Sequence, residues 1–275
     1  MKIIKTIREM RAFRPQCTVG FLPTMGYLHE GHLSLVRLAK KENDVVVVSI
    51  FVNPAQFNDA NDLEKYPTDI ERDIQLLERE NVDVLFLPTR NEVYPNGIPA
   101  LSLRYERMMQ QLCGAFRPNH FEGVLLIVHN LLLWVAPTRA YFGLKDYQQY
   151  LLIKKMSGDL SLAVEIVGAP LVREKDGLAM SSRNVRLTEK GRTEALKISK
   201  ALFAAKEDVL SGKLSFAQIK DGLWKVLEPL QIEYATLCDA DTLEEIVEKR
   251  CQSILIAVAA YVDGVRLIDN ALILR

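Results

Sequence analysis

Thr18-Val19-Gly20-Phe21-Leu22-Pro23-Thr24-Met25-Gly26-Tyr27-Leu28-His29-Glu30-Gly31-His32-Leu33-Ser34-Leu35 decides the fold. Its opening residues, Thr18 to Leu22, are apolar and β-prone, which predicts a short buried strand. Further on, Leu33, Val36, Arg37 and Lys40 fall on helical spacing, and Leu35, Leu38 and Ala39 widen the apolar face. The stretch therefore reads as a strand, a tight turn and a helix N-terminus. Such a terminus offers backbone N–H groups without intrahelical partners and the positive end of the helix dipole, which suits a phosphate. His29 and His32 add ring donors there, and Gly31 removes a Cβ where a flat group has to lie against the backbone. A zinc helix of the His-Glu-x-x-His type needs one more residue between its histidines, so this spacing does not fit one. The plainer alternative is two histidines capping a turn.

Working outward, Asp44 to Val52 is nearly unbroken β-branched and apolar sequence, the pattern of a central parallel strand covered on both faces. Pro67 and Thr68 open a helix with Ile70, Ile74 and Leu77 on one face; Asn81 ends it, and Val82 to Leu87 is the next strand. This βαβαβ alternation predicts an α/β fold with a doubly wound parallel sheet. Residues 2–14 read as a short amphipathic helix, Leu101 to Leu112 as a helix stopped at Gly114, and Phe121 to Val135 as a strongly apolar helix. Ala140 to Phe142 and Val164 to Val172 read as strands flanking a helix over Tyr147 to Met156. After Asn184 the composition changes. Thr188 is an N-cap for a charged helix over Glu189 to Leu210, a second helix covers Ser215 to Leu227, and Ile232 to Leu237 is a strand. Ser253 to Ile268 reads as a hairpin turning at Asp263-Gly264. We expect a Rossmann-like catalytic domain over 1–184 and a smaller α+β lid domain over 185–275.

The chain has 275 residues, long for a single core and suited to two domains. Hydrophobic residues make up 49% and charged residues 25%, which indicates a folded, soluble protein. Lys+Arg and Asp+Glu are both 35, and zero formal charge argues against a nucleic-acid surface as the main partner. Cys17, Cys113, Cys238 and Cys251 are scattered and form no C-x-x-C, as expected of reduced thiols in the cytoplasm. Met1 to Lys5 opens no long apolar segment, so no signal peptide is expected; Val124 to Ala136 is too short to span a bilayer. Neither a G-x-G fingerprint nor a Walker A loop occurs, which disfavours a dehydrogenase and leaves any nucleotide to be held by other groups.

Three further stretches carry chemistry. Asn53 and Gln56 follow the valine-rich strand, where ligands of open α/β sheets bind, and neutral amides suit a small substrate with hydroxyls and a carboxylate. The alternative is a plain Asn-Pro turn. Gly143-Leu144-Lys145-Asp146 ends a strand, with Asp146 placed to cap the next helix and Lys145 a point charge at the ligand crevice or an ordinary surface lysine. Val172 to Asn184 includes Ser181, Ser182 and Arg183, two hydroxyls and a guanidinium that form an anion grip in a loop, or else a serine-rich interdomain turn.

Pro23-Thr24-Met25-Gly26-Tyr27-Leu28-His29-Glu30-Gly31-His32-Leu33-Ser34-Leu35 resembles the signature of the pantothenate synthetase (pantoate–β-alanine ligase) family, within the H-x-G-H nucleotidylyltransferase superfamily. The resemblance continues through Ser49 to Phe57, Phe116 to Val124, Tyr141 to Gln149 and Asp176 to Asn184, and reappears at Arg266 to Asn270. It implies ATP-dependent joining of pantoate and β-alanine through an acyl-adenylate, with Mg²⁺, in a homodimer. It implies ATP contacts from Met25, Gly26, His29, Gly31, His32, Gly143, Lys145, Asp146, Val172, Met180, Ser181, Ser182 and Arg183, with His29, His32 and Lys145 catalytic. Asn53, Gln56 and Gln149 would hold pantoate, and Gln56 also β-alanine. Asp73 would sit near the magnesium, or be a solvated helix residue. His120 would orient the pocket or cap its helix. Leu144 stands where the family has glutamate, and Asn130, beside His129, where it more often has lysine; no role follows for these three. Other readings are an adenylyltransferase acting on a phosphorylated acceptor, and a nucleotide-sensing protein without turnover. The uncharged Asn53, Gln56 and Gln149 argue against the first.

Overall fold

A computed structural model describes residues 1–246 and 252–274. The chain forms two compact units: residues 1–105, 117–144 and 149–170, and residues 106–116, 145–148 and 171–275. In chain order the first stretch comprises β1 (Lys2–Ile4), α1 (Ile7–Ala12), β2 (Val19–Thr24), α2 (Glu30–Glu42), β3 (Val45–Ile50), α3 (Ala60–Glu64), α4 (Ile70–Arg79), β4 (Val84–Phe86) and α5 (Arg90–Val93). The middle of the chain holds α6 (Glu106–Met109), α7 (Leu112–Phe116), α8 (His120–Val135), β5 (Arg139–Gly143), α9 (Tyr147–Asp159) and β6 (Glu165–Ala169). The remainder is α10 (Glu189–Ser211), α11 (Phe216–Leu227), β7 (Gln231–Asp239), β8 (Ser253–Val262) and β9 (Val265–Leu274).

In the first unit, six parallel strands lie in the order β1-β4-β3-β2-β5-β6, a doubly wound sheet as expected. The β3 run is buried from Val46 to Ile50, so both faces are covered and an unbroken apolar run is tolerated. From β2 the chain moves out to β3 and β4 on one side, then to β5 and β6 on the other. The switch point therefore lies between β2 and β5, at whose carboxyl ends such folds bind ligands. One core layer packs Leu35, Val36 and Ala39 of α2 and Leu77 of α4 against Leu22, Val46, Val48 and Leu85 of the sheet.

In the second unit, β7, β8 and β9 form an antiparallel sheet, its β8–β9 turn at Asp263-Gly264 with φ of +53° and +71°. Both residues have the left-handed backbone that the Asp-Gly hairpin signal predicts. The helices α10 and α11 cover it through Ala195, Ile198, Leu202, Ile219 and Leu223. Thr188 caps α10 by accepting the N–H of Gly191.

Two expectations need correction. Residues 2–14 are not one helix: Lys2–Ile4 pair with Val84–Phe86 as a strand, and α1 starts after the Thr6 cap. Pairing with β4, which buries Ile4, outweighs the helical spacing of a short edge segment. Leu101 to Leu112 is not one helix either. Only α6 and α7 form there, separated by a break that puts Leu112 at φ +44°. Gly114, read as a stop, lies inside α7, where an added Cβ would stand 2.0 Å from the Met109 carbonyl oxygen. Of the cysteines, Cys17 is exposed and Cys113 and Cys238 are buried, all three as thiols; Cys251 lies outside the described residues.

Candidate active site

In the first unit, β2 delivers the histidine motif to the carboxyl edge of the sheet. Gly26 and Tyr27 turn with φ of +86° and +50°, and an added Cβ on Gly26 would meet Asp73 and Ile50 at 3.0 Å. Asp73 holds this turn. Its two carboxylate oxygens accept the backbone N–H groups of Tyr27 and Leu28, each at 2.7 Å. Asp73 shares the inward face of α4 with Ile70, Ile74 and Leu77 and has no exposed surface, so the solvated alternative is excluded. Burial pushes its carboxyl pKa up, against the two amide donors. A carboxylate closed off from solvent, with both oxygens engaged by amides, does not fit a magnesium ligand. Arg72 donates to the Leu28 carbonyl at 3.0 Å and lies over the Tyr27 ring.

His29 is the N-cap residue of α2, and His32 lies in its first turn with Gly31. The two rings lie against each other with centroids 4.0 Å apart and planes tilted by 31°. The His29 backbone N–H donates to Nδ1 of His32 at 3.3 Å. An accepting Nδ1 places the proton of a neutral ring on Nε2, leaving that nitrogen as a donor at the helix N-terminus.

The Asn53–Gln56 turn is a second cluster of the same unit. Asn53 is buried; its amide donates to Gln56 Oε1 at 3.1 Å and to the Gly123 carbonyl at 3.0 Å, and accepts from the Tyr94 hydroxyl at 2.8 Å. Gln56 Nε2 lies 2.9 Å from the Met25 sulfur, which joins this turn to the start of the histidine motif. Gly123 is required for the close approach of α8: a Cβ there would stand 2.1 Å from the Ala55 carbonyl oxygen. His120 Nδ1 bonds the Gln56 carbonyl at 2.7 Å, and Arg117 meets its other nitrogen at 3.0 Å. His120 thus braces the Asn53–Gln56 turn from the start of α8. Burial pushes Tyr94 up to about 12, so it stays protonated and donates. Gly143 closes β5, and Gln149 is half-buried in the first turn of α9. Leu144 extends over Gly168 of β6, where an added Cβ would be 2.7 Å from its Cδ2. His129 and Asn130 touch each other at 3.4 Å on α8.

In the second unit, Lys145 and Asp146 lie in a single 3-10 turn, their side chains 3.6 Å apart, and the Lys145 side chain is largely covered. The stretch from Val172 to Asn184, expected to grip an anion, is a tight turn: Arg173 bridges Ala179, Met180 N–H donates to the Val172 carbonyl, and Gly177 takes φ +97° at the tip. Ser181 then caps a 3-10 turn by accepting the Arg183 N–H at 3.3 Å; Ser182 is buried within that turn. Asn184 secures the far end, donating to Glu174 and to the Ala179 carbonyl.

The sequence reading missed Tyr94, Gly123 and the clamping role of Asp73. Nothing near Tyr94 in sequence signals its use. Gly123 offered a clue, since a glycine early in an apolar helix suggests close backbone approach.

The model of the family described as pantoate-beta-alanine ligase matches residues 2–272. A pantothenate synthetase of Thermotoga petrophila is 49% identical, covering 99% of this chain and 100% of that protein. The crystal structure of pantothenate synthetase from Thermus thermophilus superposes with a TM-score of 0.94 at 43% identity, over 98% of this chain and 99% of that one. A pantoate-beta-alanine ligase from Francisella tularensis, complexed with beta-gamma ATP and beta-alanine, gives a TM-score of 0.80 at 36% identity, covering 99% and 97% of the two chains.

Proposed function

The chain belongs to the pantoate-beta-alanine ligase family, and on that premise we propose how its residues perform the ATP-dependent condensation of pantoate with β-alanine to pantothenate. A carboxylate resists attack by an amine because oxide is a poor leaving group. Pantoate's carboxylate oxygen attacks the α-phosphorus of ATP, and the bond to the bridging oxygen breaks, expelling pyrophosphate. The amine of β-alanine attacks the carbonyl of the resulting pantoyl adenylate, loses a proton, and AMP departs.

Positioning and charge stabilisation are what such a phosphoryl transfer asks of a protein. His29 and His32 act on the α- and β-phosphate oxygens as charge passes to the leaving group. Lys145, Ser181, Ser182 and Arg183 grip the phosphates, and Met25, Gly26, Gly31, Gly143, Asp146, Val172 and Met180 line the nucleotide. Asn53, Gln56 and Gln149 hold pantoate, with Gln56 also against β-alanine. Magnesium bound with the nucleotide would supply charge neutralisation on its phosphates. We assign catalysis to residues 1–184 and a closing role to residues 185–275, and propose a cytoplasmic homodimer. Among the described residues no helix is long and apolar enough to cross a membrane.

The observation that carries the choice of acceptor is the company kept by Asn53 and Gln56. The side chains bonded to their amides, Tyr94 and Met25, are uncharged, which suits hydroxyls and a single carboxylate better than a phosphorylated acceptor. The test is a mass-spectrometric product assay with ATP, Mg²⁺, pantoate and β-alanine, run against other acid–amine pairs. Pantothenate, AMP and pyrophosphate in equal amounts are expected. Faster turnover of a phosphorylated acceptor would overturn the assignment.

A further inference from the structure

We propose that Asp269 and Asn270 are positioning residues for adenylate formation: neighbours on β9, they hold the Ser181–Arg183 loop and the Lys145 turn from one strand. The inference rests on the phosphate-gripping roles proposed above.

The strand itself poses the question. Val265, Leu267, Ala271 and Ile273 of β9 all lie in the core cluster of the second unit. Asp269 has the same parity and interrupts that apolar row with a carboxylate that is only 5% exposed. A buried charge needs a partner, and a well-packed hydrophobic residue often serves stability as well or better. Asp269 is fully partnered: Arg173 grips it with two bonds, of 2.6 and 2.9 Å, and the Asn270 N–H adds a third at 2.7 Å.

Arg173 lies on the first arm of the tight turn whose second arm runs into Ser181-Ser182-Arg183. The same guanidinium donates to the Gly177 carbonyl at the tip, at 3.1 Å, and lies over the Phe203 ring of α10. Anchoring Arg173 therefore anchors the first arm and the tip of that turn, and its backbone bridge to Ala179 carries the restraint to the second arm. Asn270, of opposite parity, sends its amide to the backbone carbonyl of Lys145 at 2.9 Å. That bond fixes the base of the flexible lysine stem. Lys145 and Ser181–Arg183 lie far apart in sequence yet are proposed to act on one phosphate chain, so a shared anchor lowers the cost of bringing them into register.

Two variants test this: Asn270→Ala, and the paired Arg173→Met with Asp269→Leu, which replaces the ion pair by apolar groups. Each is assayed for pantoate-dependent exchange of labelled pyrophosphate into ATP. Each is also assayed in a single turnover of supplied pantoyl adenylate with β-alanine, a half-reaction without β- and γ-phosphates. Melting temperature is recorded alongside. Exchange is expected to fall on the order of 10- to 100-fold, as small misplacements of catalytic groups do, while aminolysis of the adenylate, which retains only the α-phosphate, falls far less. Equal losses in both half-reactions would reduce the two residues to fold stabilisers. Unchanged exchange would also overturn the proposal. Wild-type protein without exchange would instead break the underlying reading of the phosphate grip.

Discussion

The Asp73 carboxylate accepts the backbone N–H of Leu28 at 2.7 Å across 45 positions of sequence, and its other oxygen takes that of Tyr27. A residue expected beside the metal thus shapes the turn that presents His29 and His32. Asp73→Asn keeps the volume but puts an amide N–H against a backbone donor. Losing a hydrogen bond to a buried charge costs about 1.5–3 kcal/mol. We expect a lower melting temperature and turnover reduced on the order of 100-fold through misplaced histidines, with the half-saturating Mg²⁺ concentration unchanged. A large rise in the Mg²⁺ requirement would restore the metal role.

His32→Ala removes a preorganised donor and leaves the apolar face of α2 intact. Loss of one such donor slows reactions on the order of 100- to 1,000-fold. Steady-state turnover should show that loss, with circular dichroism unaltered. Near-normal turnover in the folded variant would reject the assignment.

Gln56→Ala should raise the KM for pantoate far more than that for ATP. Gly123→Ala should act in the same direction without touching a ligand, because its Cβ would stand 2.1 Å from the Ala55 carbonyl oxygen and displace the turn that carries Gln56. Parallel increases in both KM values would indicate general damage to the fold.

Tyr94 makes a pH prediction. Its hydroxyl is pushed up to about 12 from 10.0 by burial, so the folded chain holds this proton more tightly than the unfolded one. Below the unfolded value the stabilisation is fully present. As pH rises toward the folded value the unfolded chain deprotonates first, and stability falls. Tyr94→Phe should therefore show a shallower alkaline loss of stability in urea titrations than the wild type. It should also raise the pantoate KM at neutral pH by loss of the bond to Asn53. Identical alkaline slopes would show that this phenol is not buried as described.

Leu144→Glu should leave turnover nearly unchanged. The leucine lies over Gly168, a contact that the methylenes of glutamate preserve while the carboxylate reaches solvent. A large change in either direction would give this position a role in the reaction.

Local pattern alone determined much of this protein. The run Val45 to Ile50, the strand–turn–helix at Thr18 to Leu35 and the Asp263-Gly264 hairpin were legible because strand burial, helix spacing and turn chemistry act between neighbours in sequence. The same locality made His29, His32 and Ser181 to Arg183 recognisable as a helix terminus and a polar loop. Tertiary structure decided what depends on distant partners. Lys2–Ile4 became a strand because β4 offers an edge, not because their pattern requires it. Asp73 became a clamp because α4 brings it beneath the turn at Tyr27 and Leu28. Asp269 and Asn270 acquired Arg173 and Lys145 as partners only through folding of the second unit. A carboxylate's spacing within its own helix or strand states which face it occupies; which amide or guanidinium meets it there is set by chain segments whose approach no local pattern encodes.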